Sequence, residues 1–176
     1  MNNFKILLVW LCRIKHRLGF GIQSPNDYYF VRHVILENWP YYKYKKLDSE
    51  TSDRLTRKLG HLYLRLANWR QPAIVVDANL SPYWKAGCQH TIVTTKLQPA
   101  DIICIQLKGQ AQEDISDVIA NAGEKTILVI EGIWRNKHLW RQIKQNSNII
   151  VTYDLYYCGL VMFDRQHSKV NYIINF

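Results

Sequence analysis

The apolar positions change their period near residue 72. Before it they recur every three or four residues, as on one face of a helix; after it they come in short runs. Residues 4–18 place Phe4, Leu7, Leu8, Leu11, Ile14 and Leu18 at helical spacing, with Lys5, Arg13, Lys15 and Arg17 between them. Gly19 and Gly21 end this helix. Ser24-Pro25-Asn26-Asp27 reads as a new start, with Ser24 as cap, Pro25 at the first helical position and Asp27 as a capping-box acid. That helix runs to about Leu36 and is broken by Trp39-Pro40. Tyr41-Tyr42-Lys43-Tyr44-Lys45-Lys46 follows as a basic aromatic connector. Residues 49–69 form the clearest helix, with Leu55, Leu59, Leu62, Leu66 and Trp69 on one face and Asp48 or Ser49 as its cap. Gln71-Pro72 closes it.

From residue 73 the runs are 73–78, 90–95, 101–106, 126–131, 149–154 and 158–164, with a last one near 170–175. Several are almost wholly apolar, as strands covered on both faces should be. A helix between the third and fourth turns Ile115, Val118, Ile119 and Ala122 inward and stops at Gly123. Another, capped by Asn136, turns Leu139, Trp140 and Ile143 inward. Strand-helix-strand units imply right-handed crossovers and a parallel sheet. The fifth and sixth runs are too close for a crossover, so Tyr156-Tyr157 joins them as a hairpin and an antiparallel strand enters the sheet. No flexible linker interrupts the chain. The expectation is one domain over 1–176, with a helical section at 1–70 and an α/β section at 71–176.

Composition changes this picture little, and charge changes it more. With 176 residues, 48% of them apolar, the chain can bury one real core. Cys12, Cys88, Cys104 and Cys158 form no CxxC pair, so neither a disulfide nor a zinc site is expected. Reduced thiols and the lack of an export signal suggest the cytoplasm. The apolar run Ile6–Cys12 is too short to span a bilayer. Of the net charge of +9, residues 1–70 carry +8, from 13 Lys/Arg against 5 Asp/Glu. A basic stripe of this kind attracts nucleic acid or an anionic surface, and the Tyr-Lys connector could stack bases. The competing reading is a solvated basic face with the first helix packing its apolar side on the domain.

Candidate chemistry gathers at strand ends. Ala73–Leu80 reads as a buried strand ending in Asp77, where ligands of doubly wound folds bind. A glycine-rich turn is missing there; Asn79-Leu80-Ser81-Pro82 stands in its place. Glu131 and Trp134 follow the fourth run, and His138 lies one helical turn on as a possible base. His33, His61, His90 and His167 show no metal-ligand spacing, and no GxxxxGK[ST] loop occurs.

Four segments resemble a methyltransferase-like family found in Bacteroidetes, of the class I S-adenosylmethionine-dependent type. Arg17-Leu18-Gly19-Phe20-Gly21-Ile22-Gln23-Ser24-Pro25 is similar to its "HG-hydrophobic-HSP" opening, and Tyr63–Trp69 with Pro72 to its "RLxNYFxP" helix end. Ile130-Glu131-Gly132-Ile133-Trp134 resembles its "FDDIHWS" strand end. Val151–Phe163 resembles its "VTIDLFxMGLVFF" hairpin. The resemblance implies a Rossmann-like, mainly parallel sheet ending in an antiparallel hairpin. It also implies an S-adenosylmethionine site at Asp77, Asn79, Glu131 and Trp134, where Trp134 could stack on adenine or substrate. The centre departs from the family: the flexible turn is replaced, Thr94-Thr95-Lys96 stands where a ribose-binding acid is expected, and 96–100 is too short for a crossover helix. A shortened member with a degenerate cofactor site and weak or no catalysis is therefore expected. The alternatives are an active methyltransferase with a rebuilt pocket, and a binding module using the basic section for nucleic acid or an anionic surface. Exposed edges of a truncated sheet favour pairing of two copies.

Overall fold

The computed structural model describes residues 3–51, 53–108 and 111–176, without the side chains of residues 3–5, so Phe4 and Lys5 lie outside the described ones. A mixed, mostly parallel sheet is sandwiched between two layers of helices. Its strands are β1 (Ile74–Val76), β2 (Ile92–Thr94), β3 (Ile102–Gln106), β4 (Ile127–Glu131), β5 (Val151–Asp154), β6 (Cys158–Met162) and β7 (Val170–Ile173). Their order is β2-β1-β3-β4-β6-β5-β7 among the described residues. β2, β1, β3 and β4 are mutually parallel; β6 runs against both β4 and β5; β7 pairs parallel with β5. All seven apolar runs thus become strands, each somewhat shorter than its run, and the hairpin turns at Tyr156 with a positive φ of 69°.

Alternation along the strands builds two cores. Val75, Ile102, Val129 and Tyr153 face one side, and Val76, Ile103, Leu128, Ile130 and Val161 the other. The second side is covered by α6 (Ala111–Asn121) and α7 (Lys137–Gln145), through Ile115, Val118, Ile119, Leu139, Trp140 and Ile143. Asn136 caps α7 as expected, its Oδ1 accepting from Leu139 N at 3.0 Å. The first side is covered by α2 (Pro25–Phe30), which continues as a π turn (Val31–Ile35), by α4 (Arg54–Arg70) and by α5 (Ser81–Gly87). On α4, Leu59, Leu62, Tyr63, Leu66 and Ala67 are buried. Each large apolar side chain of that set contributes about 1.5–3 kcal/mol. α5 lies hard against α4. A Cβ built on Gly87 would stand 2.2 Å from the Leu64 carbonyl oxygen, and one on Gly60 2.6 Å from the Tyr83 ring.

Several local expectations are corrected. The first helix is not continuous: α1 (Asn3–Cys12) is followed by a 3₁₀ segment, Ile14–Gly19, in which Leu18 has φ 59°. Its apolar side is only partly covered by the domain, since Leu7, Leu8, Leu11, Ile14 and Leu18 are all 45–53% exposed. The segment is tied instead by Arg13, which donates to the Asp154 and Ile174 carbonyl oxygens at 3.0 Å and pairs with the Asp154 carboxylate. Ser24 caps α2 as read, but Asp27 is no capping-box acid. Its buried carboxylate accepts the hydroxyls of Tyr153 (2.6 Å) and Tyr172 (2.9 Å). The Tyr-Lys connector runs into a short helix, α3 (Tyr44–Ser49), and Tyr44 stacks on His61 at 3.6 Å. α4 starts five residues later than read, capped by Asp53 through Thr56 N, and Trp69 is 43% exposed. α5 falls where a loop was read; Pro82 in its first turn is the signal for it.

No helix among the described residues is long and apolar enough to cross a membrane. The four cysteines are free.

Candidate functional site

β1, β3 and β4 end side by side, and the chain order reverses between β1 and β3. In open α/β sheets such a reversal marks the edge where ligands bind. Asp77 follows β1 and Glu131 closes β4, both turned toward the α4–α5 layer. Asp77 is 4% exposed. Its Oδ1 accepts from Asn79 N at 3.0 Å, and its Oδ2 from Leu80 N at 3.1 Å and from the Trp84 indole Nε1 at 2.6 Å. The first two bonds form an Asx turn, which does the work a glycine-rich turn would do with the backbone alone. The third comes from α5, whose first turn brings Trp84 back over the end of β1. Trp84 is wholly buried and stacks on Tyr63 of α4, with centroids 4.5 Å apart and planes 10° apart. Tyr63 in turn donates to Glu131 Oε1 at 2.5 Å, while Gln106 Nε2 donates to Oε2 at 2.8 Å. A continuous chain, buried up to the half-buried Gln106, thus links Asp77, Trp84, Tyr63, Glu131 and Gln106.

No cation is paired with either carboxylate among the described residues. Burial raises the Glu131 pKa and the nearby Asp77 charge adds to the rise, while bonds from Tyr63 and Gln106 and the Lys108 charge act against it. Cys104, on the strand between the two acids, has its thiol pushed well up by burial, then by Asp77 and Glu131. Such a thiol is not a nucleophile. Beyond Glu131 a cavity of about 190 Å³ remains, bordered by Asp53, Thr56, Gln106, Lys108, Trp134 and Arg135. A carboxyl with a raised pKa at a cavity floor is suited to proton exchange.

The four residues read from the sequence do not form one pocket. Asp77 and Glu131 share the buried chain. Asn79 is exposed and contributes a backbone N–H rather than its side chain. Trp134 lies on the far side of Glu131, parallel to Tyr156 at 6.2 Å with the Arg135 guanidinium 5.1 Å from its ring centroid. His138 is exposed on α7. Sequence reasoning missed Trp84, Tyr63 and Gln106. Trp84 was hidden because the segment after Asp77 was read as a turn; with Pro82 starting a helix, a residue seven after Asp77 returns to it. No group of three His, Cys, Asp or Glu is gathered for a metal ion among the described residues.

No known protein-family model matches this chain, and no curated protein or solved structure matches it.

Proposed function

We propose that this chain is a methyltransferase-like α/β protein whose cofactor edge is closed by its own side chains, leaving S-adenosylmethionine binding and methyl transfer weak or lost. The observation that carries the reading is the Trp84 indole on Asp77. An acid at the end of the first strand is the group a ligand would meet, and here it meets an indole from the next helix at 2.6 Å. The residues present do not fit a resident nucleoside cofactor at that place: Asp77 and Trp84 are both buried, and the cavity left beyond β3 and β4 is about 190 Å³. Small-molecule sites usually enclose about 300–1,000 Å³. Methyl transfer depends on holding the donor carbon in line with its acceptor, so a filled cradle removes most of the catalysis.

The kinship itself rests on the four resembling segments and on crossover strands followed by an antiparallel hairpin; the passage from β2 to β3 carries no helix, a departure from the full fold that agrees with a shortened member. Fold alone carries no activity. The second reading, an active enzyme with a rebuilt pocket, has one observation in its favour: Glu131, with its raised pKa, sits on the floor of a cavity beside Lys108 and Arg135. Calorimetric titration with S-adenosylmethionine and S-adenosylhomocysteine separates the two. Dissociation constants above about 1 mM are expected; micromolar binding of either would overturn the first reading in favour of the second.

A further inference from the structure

A different face of α4 lines two larger cavities that share a wall built from Trp10, Lys58, Asn175 and Phe176. They enclose about 530 and 310 Å³. Both fall within the size of small-molecule sites. Trp39, Tyr44 and Arg17 complete the larger, and Tyr156, Tyr157 and Arg54 the smaller. Tyr156 and Tyr157 follow β5 and Asn175 follows β7, so this is again the carboxyl edge of the sheet.

Of the cations here, Arg13 is paired with Asp154, but Lys58 and Arg17 have no carboxylate side chain paired with them among the described residues. Lys58 Nζ lies 4.5 Å from the Phe176 ring centroid and 5.6 Å from that of Tyr157, and no carboxylate side chain pairs with it among the described residues. The exposed Arg17 guanidinium lies 6.0 Å from the Trp10 ring centroid. Glu37 is the acid on the wall of the larger cavity, and its Oε1 already accepts from Trp39 N at 2.8 Å. Placement along α4 is also adverse. Arg54, Arg57 and Lys58 occupy its first turns, where the helix dipole favours acids. Arg54 and Lys58 stand at i and i+4, where like charges repel. Burial, and then Arg54, depress the Lys58 pKa accordingly. Functional sites are where clusters that break local rules are expected.

We propose that the cavities flanking Lys58 bind a small organic phosphate carrying a planar ring, of the nucleoside monophosphate class. Lys58 and Arg17 meet the phosphate, as charge-assisted donors do. The base stacks among Trp10, Trp39 and Tyr44, a kind of contact that tolerates any base. The site does not involve the Asp77–Trp84 pair and stands apart from the methyltransferase reading.

The test is titration of the whole chain with AMP, adenosine and inorganic phosphate at low salt, followed by calorimetry and by the Trp10 indole N–H resonance. AMP is expected to bind below about 1 mM, with adenosine and phosphate each about tenfold weaker or more. Lys58→Met, which keeps the buried stem, and Arg17→Gln are each expected to weaken AMP about tenfold. Trp84→Phe is expected to leave AMP affinity within about twofold, which separates this site from the filled edge. AMP binding absent below about 10 mM, or equal in wild type and both variants, would overturn the proposal. So would phosphate binding as tightly as AMP, which marks an anion site without a ring subsite. Failure of S-adenosylhomocysteine to bind, in parallel, leaves this proposal standing.

Discussion

Trp84→Phe isolates the contact on which the closed edge depends. The phenyl ring retains the stack on Tyr63, now 4.5 Å between centroids, but cannot donate to Asp77. A bond to a buried carboxylate contributes about 1.5–3 kcal/mol. Asp77 keeps its two backbone donors, Asn79 N and Leu80 N, so the loss should lie near the lower end of that range. The missing ring leaves a void of roughly 40 Å³ in a fully buried position, which at about 24 cal/mol per Å³ adds about 1 kcal/mol. The expected loss of stability is therefore about 2.5–3 kcal/mol, or a fall of roughly 5–12 °C in Tm for a chain of this length. Urea unfolding followed by circular dichroism measures it, with Trp39→Phe, at a side chain 72% exposed, as the control expected to change by less than about 0.5 kcal/mol. A Trp84→Phe loss as small as the control's would mean that the indole does not hold Asp77, and the closed edge would lose its basis.

Other changes probe the surrounding structure. Glu131→Gln should flatten the pH dependence of stability. A carboxyl whose folded pKa is raised stabilises most below its unfolded value near 4.5 and loses that contribution as pH rises through the folded value, so the wild type should weaken from pH 4.5 upward more than the variant does; denaturant midpoints across that range decide it. Gly87→Ala should cost about 2 kcal/mol or more, because its Cβ meets the Leu64 carbonyl oxygen at 2.2 Å and α5 must move off α4; thermal unfolding reads the loss. Arg65→Met should cost about 2–5 kcal/mol, at about 1–3 kcal/mol for each buried acceptor left without a donor. It strands the Val34 and Ile35 carbonyl oxygens, which now accept from the guanidinium at 2.7 and 2.9 Å at the end of the π turn. Amide exchange at residues 31–36 should accelerate with it. Lys58→Met should leave stability unchanged or raise it at neutral pH, since folding depresses the Lys58 pKa and so penalises its charged form there.

The sheet was legible because both its faces are covered. Runs such as Ile127–Ile130 must be apolar at every position, and the short gap at Tyr156-Tyr157 leaves only a hairpin. The N-terminal section was less legible, since helical spacing says which residues share a face but not what covers that face. Leu7, Leu8 and Leu11 have the spacing of packed positions and stay about half exposed, because no element among the described residues covers them fully. Asp27 looked like a cap acid because its partners, Tyr153 and Tyr172, lie 126 and 145 residues away in sequence. The site was half legible for the same reason. Asp77 and Glu131 could be placed at strand ends from strand lengths alone. Closure of the edge by Trp84 and Tyr63 depends on the approach of α5 to α4, which Gly60 and Gly87 permit and which no spacing in one segment reveals. Several residues within the resembling segments do structural work: Ser24 caps α2, Arg65 holds the π turn, and Gly159 admits the Trp140 ring, which a Cβ there would meet at 2.4 Å. Such positions serve the architecture of this chain and carry no chemistry of their own.

The closed edge is tested most directly by following the Trp84 indole N–H resonance while S-adenosylhomocysteine is added to millimolar concentration. A hydrogen-bonded indole that stays in place, with an unshifted and slowly exchanging signal, is the result expected. A saturating shift of that resonance at micromolar ligand would contradict it, placing a cofactor where the tryptophan now lies.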